Sequence, residues 1–292
     1  VDTVLSKIEK FGRSIEIRTE DAFDFLSSLE NKSVHTIITD PPYGIGFSGV
    51  TSKTGWDKMS TIEYEDFLLK LFYLAKEKFD ETGSMWLFCG RTQIPSVFKC
   101  IESSGLNNDL KNWMTYCRAK GRGSSHALKS QAEEIIHITK SKNYTFNPVE
   151  YERQVVVPYM KDGKPRGWML DQITGQRVRW SGLGNVACFT SPFFKSKFEK
   201  QIHSTQKPVL LLCELILMSS NNGDTIIDPF SGSGSCAVAS LLCDRDFMGT
   251  DTDKDMVDKS IEWLNRLDID LAKEYISSRI TNSYNNIFFE EK

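Results

Sequence analysis

The stretch Thr39-Asp40-Pro41-Pro42-Tyr43-Gly44 follows directly on the run Val34 to Ile38. That run is short, rich in β-branched residues and stopped by proline, so it reads as a buried strand ending at residue 40. Two consecutive prolines fix φ and remove two N–H groups. The turn therefore presents acceptors only, the Asp40 carboxylate and the Pro41 carbonyl, with the flat face of Tyr43 next to them. Two acceptors beside an aromatic plate at a strand end suit an aromatic amine, whose hydrogens go to the acceptors while its ring stacks. A strand followed by an ordinary Pro-rich turn is the alternative.

Upstream, Ile15 to Ile17 is a short alternating strand, and Phe23, Phe25, Leu26 and Leu29 follow at helical spacing with Asp21 before them as a cap. Downstream, residues 44–58 form a Gly-containing polar loop suited to covering a substrate. Ile62 to Phe79 is amphipathic, with Phe67, Leu68, Leu71, Phe72 and Ala75 on one face. Met85–Cys89 reads as a strand, Pro95 to Ser103 as a helix stopped by Gly105, and Trp113–Cys117 with Glu134–Thr139 as two antiparallel strands joined by the loop 118–133. Strand and helix alternate through residue 139, which is the α/β pattern.

The alternation breaks at residue 140 and returns near residue 207. Between them lie repeated turn signals and the bases Lys140, Lys142, Arg153, Lys161, Lys164, Arg166, Arg177, Arg179, Lys195, Lys197 and Lys200, with about half as many acids. Aromatics are interleaved, from Tyr144 to Phe194. Basic residues among aromatics suit contact with nucleic acid; a solvated insertion with its own small core fits the composition equally well. The net charge of −3 gives no global support for a polyanionic partner, so any such surface is local.

A second chemical site follows. Pro208 opens an apolar helix, Val209 to Met218, which Gly223 closes. Asp224 to Asp228 is a buried strand, Pro229 to Ser235 a Gly-rich loop, Cys236 to Leu242 a helix, and Phe247 to Asp251 a second strand ending on an acid. Strand, Gly-x-Gly loop, helix and strand-end acid make the nucleoside-binding unit of doubly wound folds. Gly232 and Gly234 let the backbone approach a ligand, Asp251 can accept from two ribose hydroxyls, and Asp21 can accept from an adenine amino group. The spacing also fits a dinucleotide, although the third glycine of that fingerprint is absent.

Seven cysteines form no CxxC pair and four histidines show no ligand spacing, so buried free thiols and no metal site are expected. No apolar run is long enough for a transmembrane helix. The first residues lack a charged-then-apolar signal pattern, so a reducing cytoplasm is the expected compartment.

TDPPY at Thr39–Tyr43, TQKP at Thr205–Pro208 and DPFSGSG at Asp228–Gly234 together resemble the S-adenosylmethionine-dependent DNA amino-methyltransferases. DPPY precedes the FxGxG loop, which is the order of their beta class. The resemblance covers residues 15–139 and 203–267. It implies a Rossmann-like α/β sheet with helices on both faces, in circularly permuted motif order, with an inserted target-recognition region. The catalytic domain would comprise residues 1–139 and 203–292, and the insertion residues 140–202. Asp40, Pro41, Pro42 and Tyr43 would be catalytic. Asp21, Ala22, Asp40, Lys207, Asp228, Phe230, Gly232, Gly234 and Asp251 would line the site of S-adenosyl-L-methionine, with Lys207 near its methionine end and Phe230 packed beside it. A surface lysine before a helix is the alternative for Lys207. Asp251 departs from the glutamate more common at its position, and its shorter arm would reach the ribose differently. Asp at the head of DPPY favours adenine N6, since Ser is more usual for N4-cytosine enzymes. The resemblance further implies double-stranded DNA as substrate with base flipping, a bacterial cell with the protein at the nucleoid, and a homodimer and a cognate restriction enzyme as further partners. N4-cytosine or another amine, and a catalytically silent DNA-binding subunit, are the competing readings. No Pro-Cys pair occurs, as a C5-cytosine enzyme would require.

Overall fold

β-Branched and aromatic residues alternate between the faces of a central sheet, and the order of its strands fixes where the chain's chemistry collects. The computed structural model describes residues 4–46, 57–106, 112–122, 126, 128–154, 160–161, 164–165, 169–170, 177–182, 184–189, 199, 202–203 and 205–277. In chain order the elements begin β1 (Val4–Lys10), β2 (Arg13–Thr19), α1 (Ala22–Ser28), β3 (Val34–Thr39), α2 (Thr61–Lys78), β4 (Phe79–Cys89), α3 (Ile94–Ser104), β5 (Trp113–Arg122) and β6 (Ser130–Thr139). Short strands follow: β7 (Glu150–Gln154), β8 (Met160–Lys161), β9 (Lys164–Pro165), β10 (Met169–Leu170), β11 (Arg177–Gly182) and β12 (Val186–Phe189). The chain closes with α4 (Val209–Ser219), β13 (Thr225–Asp228), α5 (Ser235–Leu242), β14 (Asp246–Asp251), α6 (Lys254–Arg266) and α7 (Ile269–Ser277).

Nine strands pair in the order β1-β2-β14-β13-β3-β4-β6-β5-β12. From β2 to β4 neighbouring strands are parallel, whereas β6 runs antiparallel to both β4 and β5. One helical layer packs Leu215, Ala239 and Leu264 against Ile17, Ile38 and Ile226; the opposite layer packs Phe25, Leu71 and Ile101 against Ile37, Leu87 and Ile227. Adjacent residues Ile37 and Ile38, or Ile226 and Ile227, thus serve opposite cores, as a strand covered on both sides requires. This is the expected α/β architecture with helices on both faces.

Local chemistry sets the boundaries. Ser60 and Glu63 close a capping box on α2, with the Ser60 N–H donating to Glu63 Oε2 at 2.7 Å and the Glu63 N–H to Ser60 Oγ at 3.3 Å. Asp21 caps α1 by accepting from the Phe23 N–H at 2.8 Å. Gly105, at φ 68°, ends α3 in the left-handed region.

Several expectations are corrected. β1, which sequence reading left out, pairs antiparallel with β2 through a turn at Phe11 and Gly12. β4 starts at Phe79 rather than Met85, with a register shift against β3 between Val34 and Thr36. β5 and β6 are ten residues each, so the hairpin takes up much of the expected loop 118–133. α4 stops at Ser219 with Ser220 extended, and Gly223 sits in the turn beyond it. The region 140–202 is tied into the main body at both ends. The Asn147 side chain donates to the Ser220 carbonyl at 2.9 Å, β12 pairs in parallel with β5, and Glu199 Oε1 accepts the first N–H of α4, from Val209, at 2.9 Å. Strands β10, β11 and β7 form a separate three-stranded sheet, and β8 pairs with β9. Most of the loop 44–58 and the tail 280–292 lie outside the described residues.

Candidate active site

Strand order reverses between β3 and β13. The chain leaves β13 through α5 toward β14 on one side, and leaves β3 through α2 toward β4 on the other. Such a switch point opens a crevice beyond the carboxyl ends of the strands. Asp40 follows β3, Asp228 ends β13 and Asp251 ends β14, so three acids from distant parts of the sequence meet along one edge. The cavity there measures about 840 Å³, and its lining includes Asp21, Ala22, Asp40, Pro42, Lys207, Asp228, Phe230, Gly232 and Asp251.

The Gly-rich loop shows why its residues are small. Gly232 and Gly234 adopt φ of 49° and 76°, which side chains disfavour. A Cβ on Gly234 would also lie 2.7 Å from the Cβ of Ser260 in α6. Asp251 braces the loop, since Oδ2 accepts the Gly232 N–H at 2.9 Å and Oδ1 the Asp253 N–H at 2.8 Å. Each oxygen keeps a further lone pair for a ligand hydroxyl. Burial raises the Asp251 pKa, opposed by those N–H groups. Ser231 Oγ is buried against the cavity with no hydrogen-bond partner among the described residues, as a group waiting for a ligand would be. Phe230 packs on Phe67 with ring centroids 5.7 Å apart, and Phe67 packs on Phe23, so one wall is aromatic. An orphan hydroxyl, a strand-end acid and an apolar wall fit a nucleoside-bearing cofactor such as S-adenosylmethionine.

At the other end of the cavity Asp40 is held from two sides. Tyr43 donates its hydroxyl to Oδ1 at 2.6 Å, and Lys207 donates to Oδ2 at 2.5 Å. The same ammonium is 3.0 Å from Glu133 Oε2 on β6 and 5.1 Å from the centroid of the Phe88 ring. Burial raises the Asp40 pKa; Lys207 opposes that rise and Glu133 adds to it. For Lys207, burial alone would lower the pKa, but Asp40 and Glu133 hold it above the ordinary value. Asp228 is buried and its carboxyl is pushed up to about 7, chiefly by burial, although it accepts from the Phe230 N–H and the Thr39 hydroxyl.

The structure therefore gathers the sequence-predicted residues around one cavity, with four qualifications. Gly234 is not in the lining and packs against Ser260 of α6. Asp21 spends Oδ1 on its helix cap. Pro41 and Tyr43 stand behind the cavity lining, with Tyr43 turned onto Asp40. Lys207 meets Asp40 and Glu133. Glu133, Phe67, Phe88, His203 and Ser231 were not singled out from sequence. Phe67 and Phe88 carry only the signal of core residues, and Glu133 reaches the site only because β6 folds back beside β4. Cys89, Cys100, Cys213, Cys236 and Cys243 are buried free thiols, as expected. No helix among the described residues is long and apolar enough to cross a membrane.

Residues 34–262 match the family described as DNA methylase, of the N6 and N4 amino-methyltransferase type. The chain is 32% identical over 266 residues to the type II methyltransferase M1.MboII of Moraxella bovis, covering 87% of this chain and 98% of that one. It is 28% identical over 257 residues to the DNA adenine methyltransferase YhdJ of Escherichia coli strain K12, covering 85% and 81%. The crystal structure of an M1.HpyAVI–SAM complex shares the fold, with a TM-score of 0.57 at 22% identity over 86% of this chain and 99% of that one. The match spans the acceptor turn, the Gly-rich loop and the strands between which they meet, so the chain belongs to the N6/N4 DNA methylase family and is an S-adenosylmethionine-dependent DNA methyltransferase.

Proposed function

We propose that this enzyme methylates the N6 amine of adenine at a specific site in double-stranded DNA, with the base turned out of the helix. The observation that carries the reading is Asp40 itself: a carboxylate, rather than a serine hydroxyl, heads the acceptor turn and opens into the cofactor cavity. The relative YhdJ is by name a DNA adenine methyltransferase.

The adenine amine is a weak nucleophile because its lone pair is delocalised into the ring. Asp40 and the Pro41 carbonyl accept its two hydrogens and favour a pyramidal nitrogen. S-adenosylmethionine, when bound, supplies the sulfonium methyl that the nitrogen attacks. The protein contributes orientation and charge placement, and no nucleophilic side chain is needed. Tyr43 leaves Asp40 and stacks on the extruded base. Asp251 takes the ribose, Gly232 and Gly234 the backbone approach, and Phe230 with Ala22 and Asp21 the adenine end.

Sequence recognition falls to the region 140–202. In support, β7, β10 and β11 within it pair as a sheet of their own, while its ends are fastened to the catalytic body. The segments 44–58 and 118–133 share the task in this reading. The setting this reading implies is a bacterial cytoplasm with the enzyme at the nucleoid, a second copy of the chain, and a restriction enzyme of matching specificity; relatives are type II methyltransferases. Mass spectrometry of nucleosides, after unmethylated genomic DNA is incubated with labelled cofactor, tests the base. N6-methyl-2′-deoxyadenosine is expected, and N4-methyl-2′-deoxycytidine would replace the reading.

A further inference from the structure

Lys207 precedes α4, whose residues are almost all buried, and Pro208 fixes the backbone there at φ −62° and ψ 130°. Glu199 anchors the first turn of that helix. The lysine side chain is only 10% exposed, and its ammonium sits between the two carboxylates on adjacent parts of the sheet edge. The two oxygens of Asp40 are consequently unlike. Oδ2 faces an ammonium planted between β6 and α4, and Oδ1 accepts from the Tyr43 hydroxyl. Tyr43 is followed by Gly44 at φ 72°, whose N–H donates to Asp57 Oδ1 at 2.6 Å, so the chain is fastened just beyond the tyrosine.

We propose that Lys207, held by Glu133, is a positioning residue for methyl transfer, which keeps Asp40 an ionised carboxylate and reserves its Oδ1 for the target amine. The inference rests on the reading of Asp40 as amine acceptor. A protonated Asp40 would carry a hydrogen of its own and offer the amine one acceptor fewer. Around Asp40 stand Tyr43 after β3, Tyr64 on α2, Cys89 on β4, Glu133 on β6, His203 and Lys207 before α4, and Asp228 on β13. Lys207 is the only permanent cation among these groups. An opposite charge within this distance moves a carboxyl pKa by roughly 1–3 units. Glu133 then has a double effect: it fixes the lysine, and its own charge works against ionisation of Asp40.

The test uses the full chain with Lys207→Met, Lys207→Arg and Glu133→Gln, tritiated S-adenosylmethionine and unmethylated genomic DNA. Carbon-13 NMR titration of labelled aspartates, assigned with Asp40→Asn, reads the Asp40 pKa independently of activity. In Lys207→Met the Asp40 pKa and the acid limb of single-turnover methyl transfer should both rise by about one pH unit or more. Transfer near neutrality should fall about tenfold or more and partly recover at higher pH. Cofactor affinity by calorimetry should change by no more than about threefold. Lys207→Arg should keep the limb near its wild-type position, and Glu133→Gln should move it to lower pH. An unmoved NMR pKa and acid limb in folded Lys207→Met would overturn the proposal. So would a large loss of cofactor affinity with the limb unmoved, since the lysine would then be a cofactor contact. If Lys207→Met does not fold, Lys207→Arg and Glu133→Gln carry the same measurements. Full activity of Asp40→Ala would instead remove the underlying reading, and the NMR titration would still report the coupling.

Discussion

The Thr39 hydroxyl donates to Asp228 Oδ1 at 2.9 Å, joining the last residue of β3 to the last residue of β13. Both side chains are buried, and the bond spans the switch point between the amine half of the site and the cofactor half. Asp228 thereby gains a fixed orientation with its carboxyl in the cavity wall.

That placement makes cofactor binding pH-dependent. With a carboxyl pKa of about 7 in the free protein, Asp228 is neutral below that pH and anionic above it. A ligand bearing a sulfonium cation favours the anionic form, so affinity should rise as pH passes upward through about 7 and level off beyond. S-adenosylhomocysteine, whose sulfur is neutral, should show a smaller slope, and Asp228→Asn should flatten the S-adenosylmethionine profile. Calorimetry at pH 6, 7 and 8 distinguishes these outcomes.

Asp40→Ala should abolish methyl transfer while leaving cofactor affinity nearly intact. Loss of a charged group preorganised for the transition state costs on the order of 10²–10³ in rate. Activity within a few-fold of wild type would falsify its role as acceptor.

Asp251→Ala should weaken cofactor binding by roughly 1.5–3 kcal/mol, the range for hydrogen bonds to a charged group. The variant also releases the Gly232 and Asp253 N–H groups, so its thermal melting should be recorded beside the titration. An unchanged dissociation constant in a folded variant means that the ribose is held elsewhere.

Gly234→Ala should destabilise the fold by about 2–4 kcal/mol, combining overpacking with a left-handed backbone. The clash is with Ser260, so Gly234→Ala should cost less in a Ser260→Gly background, although Ser260→Gly is itself destabilising through its helix-interior glycine and the lost bond to the Gly232 carbonyl. Denaturant unfolding of both single variants and the double variant closes the cycle; zero coupling would place the strain of Gly234→Ala in the backbone alone.

Exchanging the region 140–202 for that of a relative with different specificity should move the methylated site and keep the adenine product. Neutralising Lys161, Lys164 and Arg166 together should weaken binding to all duplexes and flatten its salt dependence. A folded chimera that still marks the original site would assign recognition to the loops 44–58 and 118–133.

Much of the site was legible because its signals are local. A proline pair after β-branched residues, a Gly-x-Gly after Asp-Pro-Phe and an acid closing the next strand are each read within a few neighbours. The α/β class followed from short apolar runs such as Val34 to Ile38 and Asp224 to Asp228 alternating with amphipathic segments. What escaped depends on distant pairing. Val4–Lys10 mixes charges with apolar residues and becomes a strand only beside β2. Val186–Phe189 is four residues within a basic, aromatic stretch and is a strand only because β5 offers an edge. Glu133 resembles any surface acid until the antiparallel β4–β6 register brings it to Lys207.

The neighbouring strands β3 and β13 pair Thr36 with Ile226 and Ile37 with Ile227, although residues 40–224 lie between them. During synthesis the acceptor turn therefore emerges long before the strand that completes its crevice. Pairings of such sequence separation form late, after a large loop-closure cost, and make folding slow. Until β13 inserts, β3 has an unpaired edge exposed to association with other chains. The same delay means that a partly made polypeptide holds no cofactor crevice and cannot mark DNA before its last third is translated.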